Sequence, residues 1–124
     1  MDSNRIVVTG IGAVTPMGNS WPDTWAALVA GRSGVGNITS FDTTGYTSTL
    51  AAEVKDFDPT GTVEPRLLKR TDPFILFGVA AAKEALEAAH FVIDDDNAER
   101  VGIVFGSGIG GLRSLHANFE TLER

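Results

Sequence analysis

Nine consecutive residues, Phe74-Ile-Leu-Phe-Gly-Val-Ala-Ala-Ala82, carry no polar side chain. Asp72 and Pro73 precede them as an N-cap and a first helical residue, where the missing proline N–H costs nothing, and polar residues return only at Lys83, Glu84 and Glu87. The pattern predicts a helix from Pro73 to about His90. Over about two and a half turns that helix is apolar on every side, so it must be covered on every side. A few strands cover one flank, but the other flank needs a second layer, for which 124 residues are too few. The small residues Gly78, Ala80, Ala81, Ala82 and Ala85 suit closely approaching neighbours. The chain is therefore expected to be the first part of a larger layered α/β protein.

Charge and composition narrow the function classes. Ten Lys plus Arg against sixteen Asp plus Glu give a formal charge of −6, which disfavours a general nucleic-acid surface. With no cysteine, the chain holds no disulfide, thiolate metal site or thiol nucleophile. The start, Met1-Asp-Ser-Asn-Arg-Ile-Val-Val8, lacks the basic and longer apolar regions of a signal peptide. The longest apolar run is about half the ~20 residues needed to span a bilayer. A cytoplasmic protein with no membrane partner is expected.

Around the central helix the sequence reads as alternating strands and helices, which implies a mostly parallel sheet with right-handed crossovers. Arg5-Ile-Val-Val-Thr9 is a short β-branched strand, followed by the turn Gly10-Ile-Gly-Ala-Val-Thr-Pro-Met-Gly18. Ser20 is the N-cap of a helix through Trp25, Leu28 and Val29 that closes at Gly31. Residues 31–46 read as a surface excursion and 47–54 as a second strand. A short basic helix covers 66–70. Asp94-Asp-Asp-Asn97 is a turn before the strand Val101-Gly-Ile-Val-Phe105, and residues 112–124 form a last helix.

The densest candidate chemistry lies between that strand and that helix. Gly106-Ser-Gly-Ile-Gly-Gly111 satisfies G-x-G-x-x-G through Gly106, Gly108 and Gly111, so a dinucleotide-binding module is one reading. Such a fingerprint normally opens its domain, whereas this one follows a hundred residues, and glycines serving only a tight strand-to-helix turn explain the spacing equally well. Gly10-x-Gly12 has Thr15 at the third glycine position and reads as a structural turn. Ser107 lacks the first glycine of a nucleophile elbow, because Phe105 stands there. His90 and His116 lie near predicted helix ends without an acidic partner at a telling spacing and read as exposed or capping residues. Asp94–Asn97 has Ala98 where the next calcium ligand would stand, so a solvated turn is expected and no metal site. Arg66, Lys69 and Arg70 form the densest positive cluster in an acidic chain. They suit either a solvated face or the docking of an acidic or phosphate-bearing partner.

Taken in order, Arg5-Ile-Val-Val-Thr-Gly-Ile-Gly-Ala-Val-Thr-Pro-Met-Gly-Asn19, Ala30-Gly-Arg-Ser-Gly34, Val54-Lys-Asp-Phe57, Ala80-Ala-Ala-Lys-Glu-Ala-Leu86 and Arg100-Val-Gly-Ile-Val-Phe-Gly-Ser-Gly-Ile-Gly-Gly111 resemble the amino-terminal part of β-ketoacyl-acyl-carrier-protein synthases. The isoleucine at 109 resembles the synthase II branch, where synthase I typically carries glycine. The chain departs from the family at Thr71 and Pro73, where methionine and a non-proline are usual.

The resemblance implies that residues 1–124 are an incomplete amino-terminal domain of a thiolase-like, five-layered α-β-α-β-α fold, with the central helix sandwiched between two sheets. It implies a homodimeric fatty-acid condensing enzyme that joins an acyl thioester to malonyl-acyl carrier protein by decarboxylation, without a cofactor. The family's catalytic cysteine and two histidines follow the matched region, so no catalytic residue is assigned here and this chain alone is expected to be inactive. By residue-for-residue match, Ile109 lines the acyl tunnel near the dimer boundary, and Arg66, Lys69 and Arg70 meet the acidic carrier protein. A non-catalytic chain-length partner of a polyketide synthase would share this half and stays open beside the dinucleotide module.

Overall fold

The apolar run is helical where the sequence places it. In the computed structural model, which describes residues 5–123, the order is α1 (Trp21–Val29), β1 (Val35–Asn37), β2 (Leu50–Ala52), α2 (Pro65–Leu68), α3 (Pro73–Ala88), a 3₁₀ turn (Ala98–Arg100) and α4 (Leu112–Leu122). The opening residues 1–4, weighed above for a signal peptide, and Arg124 at the end of the last predicted helix lie outside the described residues.

The helix α3 is the axle of the chain. Its 16 residues make a rod about 24 Å long. The segment around Gly10 and Gly12 lies directly on it: a Cβ on Gly10 would overlap the Ala85 carbonyl, and one on Gly12 that of Ala81. Further along, the ring of Phe105 covers Gly78. Positions 78, 81, 85 and 89 share one helix face, so both contacts use the stripe of small residues seen in the sequence. Phe57 packs edge-on against Phe77 with ring centroids 4.9 Å apart. Phe74 and Ile75 stay exposed at the N-terminal end, where they border an apolar hollow of about 240 Å³ with Val79 and Phe105.

Polar pins supplement this packing. The Glu84 carboxylate, on α3, accepts the Ala13 N–H through Oε2 and the Trp21 N–H through Oε1, each at 2.8 Å. Trp21 opens α1, so one glutamate satisfies an otherwise orphaned helix-end donor and the glycine turn together. The Ser20 side chain accepts the Asp23 N–H at 3.2 Å, as the capping signal requires. Buried Thr24 contacts Thr15 hydroxyl to hydroxyl at 2.9 Å. At the far end of α1, Gly31 donates to Leu28 and Arg32 to Ala27, the two bonds of a Schellman stop. The end of α3 repeats them, with His90 donating to Glu87 and Phe91 to Leu86, although His90 rather than glycine adopts φ 50°.

The sheet differs from expectation. Among the described residues the sheet consists of β1 and β2, paired antiparallel with Val35 opposite Ala52 and Asn37 opposite Leu50. The apolar runs 5–9 and 101–105 form no ladder, and the expected mostly parallel sheet is not present. A β-branched run becomes a strand only when a neighbour takes up its N–H and C=O groups, and here Val8 is 81% and Val104 100% exposed. Ala27 and Leu76 are the buried apolar residues of the described part. Strand β1 also corrects the reading of 31–46 as a plain excursion. Its partner β2 falls inside the predicted 47–54, and Glu53 just beyond it accepts from Thr39 N, Thr39 Oγ1 and Ser40 N at 2.8, 2.8 and 3.1 Å.

Candidate functional site

The basic cluster sits on a corner between two helices. Pro65 at the first helical position starts α2, which stops after four residues, so the cluster is not the continuous helical face expected over 66–70. Lys69 caps the helix, and Arg70 donates its N–H to Leu67 O at 2.9 Å. Arg66, Lys69 and Arg70 are all exposed. Arg66 pairs with Glu64 at 2.6 Å, an exposed pair of small energetic weight.

Next along the chain, Asp72 behaves differently from its predicted role. It occupies the N-cap position of α3 but makes no side-chain cap bond there. Its Oδ2 instead accepts from the hydroxyl of Ser114 at 2.8 Å, in the first turn of α4. Nothing in the sequence joins two residues 42 positions apart, so this contact was not legible beforehand.

The glycine-rich turn therefore meets the α2–α3 corner. Ser107 Oγ accepts the Gly110 N–H at 3.0 Å, a turn-forming role rather than a nucleophile's. Ile109 stands between them and is 79% exposed. Gly111 caps α4, and the space its Cβ would fill is taken by the Asp72 carboxylate. A negative group at that helix start disfavours the pyrophosphate that a dinucleotide reading needs there. Between this turn and residues 53–56 lies an open cleft of about 590 Å³, with Lys55, Asp72, Phe74, Phe77 and Arg113 on its walls.

The histidines stand apart from this cleft's lining. His90 occupies the stop of α3, as a capping residue would. His116 is mid-helix in α4 rather than near its end, exposed and 3.5 Å from Glu120. Asp94 and Asn97 close their turn on each other, with Asp94 Oδ1 accepting the Asn97 N–H at 3.2 Å. Among the described residues no three His, Asp or Glu side chains are grouped to hold a metal. No helix there is long and apolar enough to cross a membrane.

Residues 3–124 match the family described as Beta-ketoacyl synthase, N-terminal domain. The chain belongs to the beta-ketoacyl synthase family. Across 122 residues, 98% of the chain, it is 43% identical to 3-oxoacyl-[acyl-carrier-protein] synthase 2 of Coxiella burnetii, and it covers 30% of that protein. Across 115 residues, 93% of the chain, it is 44% identical to the protein of the same name from Synechocystis, covering 28% of it. The fold of a solved ketosynthase/chain length factor of ishigamide superposes with a TM-score of 0.75 at 29% identity, over 92% of this chain and 28% of the other. The chain thus spans about 30% of the length of the beta-ketoacyl synthases it matches.

Proposed function

We propose that this chain is the leading part of a 3-oxoacyl-[acyl-carrier-protein] synthase II of fatty-acid elongation, an acyltransferase working as a cytoplasmic homodimer. The reading is carried by the family match over residues 3–124, together with relatives named 3-oxoacyl-[acyl-carrier-protein] synthase 2 at about 43% identity. In the proposed reaction an acyl group passes from its carrier thiol to an enzyme cysteine. Malonyl-carrier protein then loses carbon dioxide, and the carbanion left behind attacks the acyl thioester and expels the cysteine thiolate. The chemistry needs a thiolate, an oxyanion hole and groups that stabilise the enolate. The thiolate cannot come from a chain without cysteine.

What this chain contributes is recognition. Arg66, Lys69 and Arg70 offer exposed positive charge to an acidic carrier protein. Ile109 projects from the glycine turn as the side chain that limits acyl length beside the dimer boundary. In the full-length protein the apolar runs 5–9 and 101–105, which form no ladder here, would pair with further strands into the parallel sheet of a thiolase-like layered fold.

The full-length protein carrying this sequence, supplied with acyl- and malonyl-carrier proteins, should release carbon dioxide and form a 3-oxoacyl product; absence of both overturns the assignment. Charge reversal at Lys69 and Arg70 should weaken carrier association and flatten its salt dependence. Replacing Ile109 by phenylalanine should slow long acyl substrates selectively. The likeness to a ketosynthase/chain length factor supports a second reading, a non-catalytic chain-length partner, which predicts no acyl transfer by the protein alone.

A further inference from the structure

The geometry points to Asp72 as a positioning residue: its carboxylate ties the 106–111 turn, and with it Ile109, to the corner that carries Arg66, Lys69 and Arg70. The inference rests on the acyl-contact reading of Ile109. A free N-cap aspartate would turn its carboxylate onto the first N–H groups of its own helix. Asp72 forgoes that bond and reaches Ser114 at 2.8 Å instead. Its carboxylate also takes up the space next to residue 111 that a Cβ there would need, so a side chain at 111 would displace the carboxylate from this position.

Both ends of the tie are held locally. On the corner side, Arg70 N–H and Thr71 Oγ1 both donate to Leu67 O, at 2.9 and 2.8 Å, and the Ile75 N–H donates to Asp72 O at 3.0 Å. Hydrogen bonds therefore close 67–71 and 72–75, two turns that adjoin at the 71–72 peptide. On the turn side, Gly110 N–H donates to Ser107 Oγ and Leu115 N–H to Gly111 O, each at 3.0 Å. Ile109 lies inside that bonded stretch. Asp72–Ser114 is the side-chain hydrogen bond that joins the two, so without it the turn keeps, among the described residues, only apolar contacts, such as the Phe105 ring on Gly78, against α3. Asp72 and Gly111 also line the same cleft, so the tie holds one of its walls together.

Backbone amide exchange over residues 106–114, measured in the full-length protein alongside the ratio of long- to short-acyl turnover, tests this. Asp72→Ala and Ser114→Ala should each speed exchange about fivefold, the loss of one charge-assisted bond at a partly exposed site, and the double variant should add nothing further. Asp72→Asn keeps an accepting oxygen and should stay within about twofold of the parent in both exchange and acyl ratio. That rescue separates positioning from a general charge effect. Ser114→Ala, a surface change with good helix propensity, keeps the test available if Asp72→Ala folds poorly.

The acyl ratio should move in the alanine variants. Unchanged exchange in both overturns the proposal. Looser exchange with an unchanged acyl ratio overturns it too, provided that Ile109→Phe, run in parallel, does shift the ratio. If Ile109→Phe leaves the ratio flat as well, the acyl-contact reading has failed, and exchange alone upholds or overturns the tie.

Discussion

Residues 5–30 and 101–123 repeat one plan, an apolar run, a glycine-rich turn and a helix, yet they are anchored to α3 by different means. The first is locked by Gly10 and Gly12 against the helix backbone, by both oxygens of Glu84, and by the Thr15–Thr24 contact. The second touches it through the Phe105 ring and the single Asp72–Ser114 bond, and α4 buries no residue at all. The first unit is thus held to the helix by more contacts than the second, while both leave their apolar runs exposed, with Ile6 at 94% and Val104 at 100%. Ligand-facing parts of a fold are drawn from such weakly tied segments, because a turn locked on every side cannot adapt to what it binds.

The sharpest way to break this contrast is to move a methyl group from one turn to the other. Gly12→Ala drives a Cβ into the Ala81 carbonyl and should destabilise by about 3 kcal/mol in chemical denaturation, whereas Gly108→Ala meets nothing within 4 Å and should stay within about 0.5 kcal/mol. Equal effects would erase the distinction. Next in size, Glu84→Ala strands the Ala13 and Trp21 N–H groups and should cost about 2 kcal/mol in the same measurement.

A smaller change should run in the opposite direction. His90 holds φ 50° at the stop of α3, where Gly31 holds φ 65° at the stop of α1, so His90→Gly should stabilise by about 1 kcal/mol. Thermal unfolding with no gain would show that strain there is absorbed by its surroundings.

The mildest test concerns acid. Hydrogen bonds from Ser40 and then Thr39 hold the Glu53 carboxyl at about 2, down from 4.5. A depressed value favours the bonded form above pH 4.5, and that contribution fades as pH falls through about 2. Amide signals of Thr39 and Ser40 should therefore shift across that window, and Glu53→Gln should abolish the shift.

Local signals were readable wherever one residue decides one geometry. Ser20 caps α1, Pro73 opens α3, and the 94–97 turn falls where its acidic and amide side chains can bond their own backbone. Gly10-x-Gly12, weighed as a structural turn, proves to be a close-packing device against Ala81 and Ala85. Less legible were the pieces that depend on distant partners. The run 101–105 has every mark of a strand but no ladder among the described residues, and β1 emerges from an unpromising Val35-Gly-Asn37 because β2 lies beside it. The basic segment was visible as charge, but not as a corner held by Leu67 and tied onward through Asp72 to Ser114.

By itself the sequence determined the main helices, the Ser20 cap and Pro73 start, the apolar character of the central rod and membership of a condensing-enzyme family. Those properties reside in residues within a turn or two of one another, or in the order of short motifs along the chain. Only the tertiary structure decided that Asp72 abandons its own helix for Ser114, that Glu84 bridges a turn and a helix start, and which apolar runs find a partner. Each of those outcomes is a competition for hydrogen bonds and cover between segments far apart in sequence, and the winner is set by where the chain brings them together.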